Sequence, residues 1–334
     1  MNGRRSTALA LGALGALVAA AMGGCSSGDG SDENGQVVLR VGDQKGASLQ
    51  DMLAAAGQLD GLTYKVKWSL FTSGPPILEG INAGSVDFGV VGNTPPVFAA
   101  ASGARIVLVG ATTSRLTGQA ILVPKDSPLR TPADLKGKKV AVAKGSSANY
   151  HLLSVLTKNG LKFGDVQPQY LQPADALTAL TGGRVDAWAT WEPYTAQAEL
   201  QNGARILADG TGYTNGYGFE VTSKDTLKNK ARSAALKDFL SRYQRAVQWS
   251  STHPDQWAAI WAKQTRLPGP VAQRAVRRRL TTTIAIDDSV IAEEQRIADS
   301  FAAVGLVPHK VAIAGFFDRR FNDLAATARP QQGT

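Results

Sequence analysis

Two stretches of this chain, residues 39–96 and 138–195, resemble each other weakly and match in order without a gap. Every identical pair has the same offset of 99 residues. The pairs are Val41–Val140, Lys45–Lys144, Gly46–Gly145, Ser48–Ser147, Leu53–Leu152, Gly61–Gly160, Leu62–Leu161, Leu78–Leu177, Gly84–Gly183, Val86–Val185 and Asp87–Asp186. Solenoid repeats are only roughly 20–50 residues long. The spacing therefore predicts two similar lobes with a cleft between them, a geometry that suits capture of a small molecule.

Both copies have the same order of predicted elements, which is strand, helix, strand, short helix, strand. In the first copy these elements are residues 39–42, 48–58, 63–71, 76–83 and 86–91. In the second copy they are residues 140–143, 147–159, 166–171, 174–181 and 185–190. This alternation predicts parallel strands joined by right-handed crossovers. Ligands of such sheets bind beyond the carboxyl ends of the strands.

The segments that follow the predicted strands are rich in Gly, Ser, Thr, Asn and Gln. They are residues 43–46, 71–75, 92–95, 144–147, 171–173 and 191–194. Gly145-Ser146-Ser147 begins a helix, where free backbone N–H groups and hydroxyls can hold an oxyanion. The alternative is that Ser146 or Ser147 only caps its helix. Six polar strand ends from two lobes favour the binding interpretation.

The chain begins with a pattern typical of export. Arg4 and Arg5 precede an apolar run over residues 8–22, followed by Gly23-Gly24-Cys25. This pattern predicts a lipoprotein signal peptide over residues 1–24, because the apolar run is shorter than the roughly 20 residues of a membrane span. Cys25 is the single cysteine and is the predicted lipidation site. Residues 25–36 then form the lipidated cysteine and a flexible tether.

The charge of the chain is moderately basic. The formal charge of +9 includes Arg4 and Arg5, so about +7 remains after removal of the signal. That excess suits contact with anionic lipid or small anions, and the dispersed basic residues argue against nucleic acid. Arg277-Arg278-Arg279 is the tight cluster, and on a helix its members point in different directions. We expect these three side chains to be solvated.

The rest of the chain is predicted to complete the two lobes. Residues 106–113 and 119–124 are strand-like, with crossings between lobes at 113–118 and at 217–223, and helices follow at 231–253, 254–264, 268–280, 288–304 and 314–324. The glycine-rich stretch 210–218 lacks a Walker lysine and is interpreted as a loop or hinge, with Tyr213 and Tyr217 as further cleft candidates. The expected division is 37–116 for lobe 1, 117–216 for lobe 2, 217–328 for the return to lobe 1 with the C-terminal helices, and 329–334 for a disordered tail.

Catalytic patterns are absent from the sequence. His151, His253 and His309 are far apart without metal-ligand spacing, and no Gly-x-Ser-x-Gly motif occurs. Beyond Cys25 there is no cysteine for a disulfide, a thiolate nucleophile or a zinc site. We therefore predict no catalytic residue, no metal and no cofactor. Asp87 and Asp186 are expected to fix turns.

Several runs resemble the aliphatic sulfonate-binding proteins of ABC importers, within the nitrate/sulfonate/taurine group of solute-binding proteins. These runs are residues 41–46, 92–96, 134–140, 144–147, 185–194 and 305–308. The resemblance implies an α/β, two-lobed periplasmic-binding-protein fold of type II. Each lobe would be a mixed, mainly parallel sheet flanked by helices, with a helical C-terminal tail. The cleft residues it implies are Gln44, Ser73, Gly74, Asn93, Thr94, Gly145, Ser146, Ser147, Trp191 and Glu192. Asn93 and Glu192 stand where sulfonate-binding relatives often carry Asp.

The resemblance implies a monomeric, exported and lipid-anchored protein that delivers a small organic anion, an alkanesulfonate type, to ABC permease subunits. Three alternatives remain open. The solute could be nitrate, taurine, an aromatic sulfonate, or a vitamin or pyrimidine precursor, and Glu192 would favour one with an amine or hydroxyl. The chain could be an enzyme like the pyrimidine-precursor synthases of this fold family, although it lacks their cysteine-rich motif. It could also be a lipoprotein sensor.

Overall fold

The structure is a computed structural model that describes residues 36–327. The predicted signal peptide, Cys25, nearly all of the tether and the tail 329–334 lie outside the described residues.

Two β-sheets form the framework of the protein. The strands are β1 (Val38–Gln44), β2 (Lys65–Phe71), β3 (Phe88–Gly92), β4 (Ile106–Ser114), β5 (Gln119–Val123), β6 (Lys139–Val142), β7 (Gln167–Tyr170), β8 (Ala187–Trp191), β9 (Arg205–Asp209), β10 (Tyr217–Ser223) and β11 (Thr281–Ile284). One sheet has the order β11-β4-β10-β3-β1-β2 and the other has the order β7-β6-β8-β5-β9.

Helices flank both sheets. They are α1 (Leu49–Ala55), α2 (Gly74–Asn82), α3 (Pro95–Ala101), α4 (Ser147–Lys158), α5 (Pro173–Thr181), α6 (Tyr194–Asn202), α7 (Lys224–Lys228), α8 (Lys230–Thr252), α9 (Pro254–Thr265), α10 (Gly269–Arg278), α11 (Asp288–Ala303) and α12 (Asn322–Thr327). Short 3-10 turns occur at Leu116–Gly118, Pro132–Leu135, Phe163–Asp165 and Ile313–Phe316.

The duplication seen in the sequence is present in the strand register. In the first sheet β1 and β3 pair in parallel with Val41 opposite Phe88, and in the second β6 and β8 pair with Val140 opposite Ala187. Both members of the second pair lie 99 positions after their counterparts. The outer strands differ by one residue, because Val41 faces Trp68 whereas Val140 faces Pro168.

Each sheet also receives one strand from the chain that has just crossed over. After the first crossing, β5 inserts antiparallel between β8 and β9. After the return crossing, β10 inserts antiparallel between β3 and β4. Both sheets are therefore mixed, with the parallel pairings confined to the duplicated strands. This arrangement confirms the expected α/β class.

The matched aspartates hold equivalent strand starts. The backbone N–H of Arg40 donates to Asp87 Oδ2 at 2.8 Å, and that of Lys139 donates to Asp186 Oδ2 at 2.8 Å. Asp87 is buried and also accepts from the Arg40 guanidinium, with Nη2 at 2.6 Å. Both aspartates thus have the structural role expected from the sequence, and the first copy adds a buried ion pair.

Helices from the C-terminal part pack on both units. Phe239 of α8 lies edge-on to Phe88 of β3, with ring centroids 5.3 Å apart. Phe301 of α11 contacts Phe98 of α3 at 5.0 Å and Tyr150 of α4 at 6.2 Å, so one residue joins the two units.

Two expectations for the second half, those for residues 217–223 and 314–324, were wrong in detail, and one strand had not been predicted. Residues 217–223 form β10 and not a crossing, and the chain returns through residues 210–216. Thr281–Ile284, expected to lie beyond a helix end, forms β11 with Thr281 opposite Ser114, as suits a β-branched run. Residues 314–324 do not form one helix, because a bridge between Leu108 and Phe317 holds that segment against β4.

Candidate ligand-binding site

A cavity of about 190 Å³ lies where the carboxyl ends of β1, β3 and β8 approach one another. The first turns of α2, α3 and α4 open onto it, and α8, α9 and α10 complete its wall. The start of α4 offers unpaired backbone N–H groups. The first turns of α2 and α3 contain prolines, which have no N–H, so these two helices contribute mainly the positive end of the helix dipole. Together the three helix starts favour an anion. The volume is below the roughly 300–1,000 Å³ of pockets for drug-sized ligands and suits a smaller solute.

Six of the ten residues singled out from the sequence line this cavity. They are Gln44, Gly74, Ser146, Ser147, Trp191 and Glu192. Tyr217 also lines it, whereas Tyr213 packs beside His151 with ring centroids 6.1 Å apart.

The other four do not reach the cavity wall. Asn93 and Thr94 are fully buried. The Asn93 amide donates to Asn215 Oδ1 at 2.8 Å, and the Thr94 hydroxyl donates to Asn93 Oδ1 at 2.9 Å. These two residues therefore fasten the end of β3 to the return crossing.

Ser73 and Gly145 also lie outside the cavity lining. The Ser73 hydroxyl is buried without a hydrogen-bond partner among the described residues. Gly145 has a φ of +71°, the left-handed region that favours glycine, and its N–H donates to Asn149 Oδ1 at 3.0 Å. Gly145 thereby shapes the turn that delivers the next two serines.

The two serines at the start of α4 have different roles. Ser146 is the residue before the helix, and its hydroxyl donates to the Ala143 carbonyl at 2.6 Å, with no bond that caps the helix. The Ser147 hydroxyl has no partner in residues 36–327 and faces the cavity. Neither serine follows the capping alternative, and Ser147 is the one free to contact a ligand.

An aromatic wall lies opposite the helix starts. It consists of Trp191, Tyr217, Tyr243, Trp257 and Trp261. Trp257 and Trp261 stack with ring centroids 5.8 Å apart and an interplanar angle of 7°. Trp261 Nε1 donates to Ser48 Oγ at 3.1 Å, so its polar atom is satisfied and its ring is left as apolar surface.

Arg279, like Tyr243, Trp257 and Trp261, is a cavity residue that the sequence interpretation missed. Its side chain lines the cavity and is solvent-accessible, yet desolvation by the surrounding protein lowers the pKa of its guanidinium. No hydrogen bond or ion pair holds this guanidinium within the described part of the chain. The expectation of a solvated cluster was wrong for Arg278, which pairs with the carboxylates of Glu192 and Glu199. Arg277 is exposed and pairs with Asp255 at 2.8 Å, and Arg279 is exposed and lines the cavity.

The spacing of the buried residues along α10 indicates on which side of the helix Arg279 lies. Ala272, Ala275 and Val276 are buried, and position 279 continues the same i, i+3, i+4, i+7 pattern. The arginine at the end of this apolar face must point inward, whereas its two neighbours do not share that face.

Two acidic groups share the cavity with Arg279. Burial raises the pKa of Asp43 to about 6, although the N–H groups of Leu49 and Gln50 donate to its carboxylate at 2.9 and 3.1 Å. Burial likewise raises the pKa of Glu192 to about 7, against the opposing effect of Arg278 at 3.5 Å. Desolvation outweighs these partners because both carboxyls are almost fully enclosed.

The two units touch around the cavity at matched glycines. A Cβ on Gly46 would lie 3.2 Å from Pro193 Cδ, and a Cβ on Gly145 would lie 3.2 Å from Phe98 Cγ. Each of these glycines thus meets the opposite unit, which means that the cleft is closed in this structure.

Residues 36–327 contain neither a metal-type cluster nor a membrane-spanning helix. No group of His, Cys, Asp and Glu there has the arrangement of a metal site. No helix in that range combines the length and hydrophobicity that a bilayer span requires.

Two facing α/β units around a closed cavity define the class of two-lobed solute-binding folds. Residues 74–257 match the family described as NMT1/THI5 like, and this chain belongs to that family.

Named relatives agree with this assignment. A protein of Escherichia coli K12 named as an aliphatic sulfonates-binding protein is 41% identical over 285 residues, which cover 84% of this chain and 88% of the relative. A Bacillus subtilis 168 protein named in the same way is 32% identical over 309 residues, covering 90% and 92%.

Solved structures give the same result. The alkanesulfonate-binding protein SsuA from Xanthomonas axonopodis pv. citri, bound to MOPS, matches with a TM-score of 0.79 and 36% identity over 85% of this chain and 98% of that one. The periplasmic aliphatic sulphonate binding protein SsuA from Escherichia coli matches with a TM-score of 0.74 and 39% identity, over 84% and 91%. The desulfurization enzyme DSZB shares the fold at 17% identity with a TM-score of 0.60.

Proposed function

We propose that this protein is the exported solute-binding component of an ABC importer and that it captures a small aliphatic sulfonate. The observation that carries the proposal is the Arg279 guanidinium, which lines the cavity without a hydrogen bond or ion pair in residues 36–327, beside helix starts from both units. This side chain is exposed, and its positive charge can pair with a counter-ion. A sulfonate, ionised at neutral pH and bearing three acceptor oxygens, would supply it.

The remaining wall favours an organic tail on the anion. Trp191, which is partly exposed, offers apolar surface that nitrate could not cover, and the names of the relatives point to alkyl or substituted sulfonates. The ligand would hold lobe 1 (residues 37–116 and 217–328) against lobe 2 (residues 117–216). The closed state then forms by population shift on binding.

The test is a titration of the purified protein with ethanesulfonate, butanesulfonate, taurine, nitrate and a vitamin pyrimidine precursor. We expect the two alkanesulfonates to bind most tightly. Arg279→Met should weaken ethanesulfonate binding at least 100-fold. Arg277→Met, which removes an exposed arginine two positions away, should leave it unchanged. Equal binding by the Arg279 and Arg277 variants, or a clear preference for nitrate or the precursor, would contradict the proposal.

The proposal includes a lipid anchor at Cys25 and delivery of the solute to permease subunits as a monomer. The support for the anchor is the sequence before Cys25 together with the tether that follows it. Cys25→Ala should release the protein from the membrane fraction without changing its affinity for ethanesulfonate. A variant that still sediments with membranes would count against the anchor.

A further inference from the structure

Exposed apolar side chains occur at equivalent positions of the two units. Among the described residues, the large exposed apolar side chains are Leu70 (70%), Tyr170 (45%), Val304 (42%) and Leu200 (41%). Leu70 pairs with Asp43 at the end of β2, and Tyr170 pairs with Val142 at the end of β7. Positions 43 and 142 are 99 residues apart, so Leu70 and Tyr170 are structural counterparts on the edge strands.

A lysine accompanies each of these side chains. Lys45 and Lys144 are a matched pair of the duplication and both are exposed. The Lys45 N–H donates to the Phe71 carbonyl at 2.9 Å, which brings it to the end of β2, and Lys144 Nζ lies 5.5 Å from the centre of the Tyr170 ring. Neither lysine forms an ion pair in residues 36–327. These four residues form two pairs, Lys45 with Leu70 and Lys144 with Tyr170, and we call them together the paired rim.

The paired rim is separate from the ligand cavity but coupled to closure. None of its four residues lines the cavity. Each lysine precedes a glycine, Gly46 or Gly145, that contacts the opposite unit. Because those contacts fix the two units against each other, closure also fixes the distance between the two halves of the paired rim.

We infer that the paired rim is the surface on which the closed protein docks onto a pair of related permease subunits. Two basic and apolar patches at equivalent positions fit a partner that itself presents two equivalent patches. Because the rim is basic and apolar, we expect each patch on the permease subunits to carry acidic side chains beside an apolar pocket. This inference rests on the proposed function, because it takes the importer as the partner.

The test compares substitution of the rim with substitution of exposed residues elsewhere. The rim variant combines Lys45→Glu, Leu70→Ser, Lys144→Glu and Tyr170→Ser. The control variant combines Leu200→Ser and Val304→Ser, the other two exposed apolar residues. Both should bind ethanesulfonate within twofold of the unaltered protein. Cells that carry the rim variant should take up labelled ethanesulfonate at least tenfold more slowly, and control cells at the normal rate. Normal uptake by the rim variant, or equal loss in both, overturns the inference.

A second measurement does not depend on the ligand. Leu70→Cys and Tyr170→Cys, each coupled to a thiol-directed photocrosslinker, should both form adducts with the tagged permease subunit, whereas Leu200→Cys should not. Adducts with a second copy of this chain in place of the permease overturn the inference. If the unaltered protein binds no sulfonate, the proposed function fails while the crosslinks still decide the docking surface.

Discussion

Gly92 of the first unit lies against Ser147 of the second so closely that a Cβ on residue 92 would approach Ser147 Oγ to 2.4 Å. Real Cβ atoms essentially never come so near another heavy atom. Glycine at position 92 is therefore a condition for the closed arrangement. The absence of a side chain at Gly92 also lets the end of β3 lie next to the Ser147 hydroxyl, which faces the cavity.

Gly92→Ala should oppose closure and weaken ethanesulfonate binding about tenfold or more, which corresponds to about 1.4 kcal/mol. The ligand-free protein should keep its Tm, because an open arrangement relieves the clash. Titration calorimetry and thermal unfolding measure the two effects. Gly164→Ala is the matched control, since a Cβ there meets nothing within 4 Å. Unchanged affinity in Gly92→Ala would show that the closed contact does not matter for binding.

Ser147→Ala should reduce affinity for ethanesulfonate by about 10- to 100-fold, because a hydrogen bond to a charged group is worth about 1.5–3 kcal/mol. Its stability should hardly change, since the hydroxyl has no partner in the described structure. Ser146→Ala should show the opposite pattern, a loss of about 1 kcal/mol of unfolding free energy with affinity retained, because its hydroxyl holds the Ala143 carbonyl. Denaturant unfolding and titration of both variants separate these roles. Equal losses of affinity in Ser146→Ala and Ser147→Ala would show that the two hydroxyls do not have separate roles.

Glu220 should make the protein less stable as pH rises. Its carboxyl is fully buried, both oxygens lack a partner among the described residues, and burial raises its pKa to about 8. The folded state therefore keeps a proton that the unfolded state, with a pKa of about 4.3, has lost. Unfolding free energy must fall from about pH 4.3 to about pH 8, by a few kcal/mol at 1.36 kcal/mol per pKa unit.

The variant that tests this dependence is Glu220→Gln, which cannot ionise. Its Tm should equal that of the unaltered protein near pH 4, exceed it increasingly up to about pH 8, and exceed it by a constant amount above that. Glu79→Gln, at an exposed position, should leave the pH profile unchanged. Parallel Tm profiles for Glu220→Gln and the unaltered protein would contradict the assignment.

Asp87→Asn and Asp186→Asn compare the same position in the two units. The first substitution leaves the Arg40 guanidinium without its buried carboxylate, and we expect it to cost about 2–3 kcal/mol of unfolding free energy. The second removes one acceptor at an exposed site and should cost less than about 1 kcal/mol. Chemical denaturation gives both values, and equal costs would show that the Arg40 ion pair adds nothing.

The duplicated part of the fold could be predicted from the sequence because its constraints are local and repeated. The constant offset anticipated the register of Val41 with Phe88 and of Val140 with Ala187. Polar strand ends likewise anticipated six of the cavity residues. The geometry of parallel sheets located the polar strand ends, and the family resemblance selected these six residues within them.

The parts that were missed depend on contacts between segments far apart in the chain. Asn93 turns away from the cavity because Asn215 arrives beside it from the return crossing. Arg279 enters the cavity because α10 packs against α6, a pairing that no local pattern contains. The apolar spacing before Arg279 shows that it faces inward, but not what it faces.

The position of Arg279 after both duplicated units has an evolutionary consequence. The duplicated framework supplies the cavity and the helix starts that open onto it. The charge comes from a single side chain at the end of a helix that has no counterpart in the duplication. A descendant could therefore exchange one class of nutrient for another by altering that helix end, while the inherited scaffold and its hinge remain untouched.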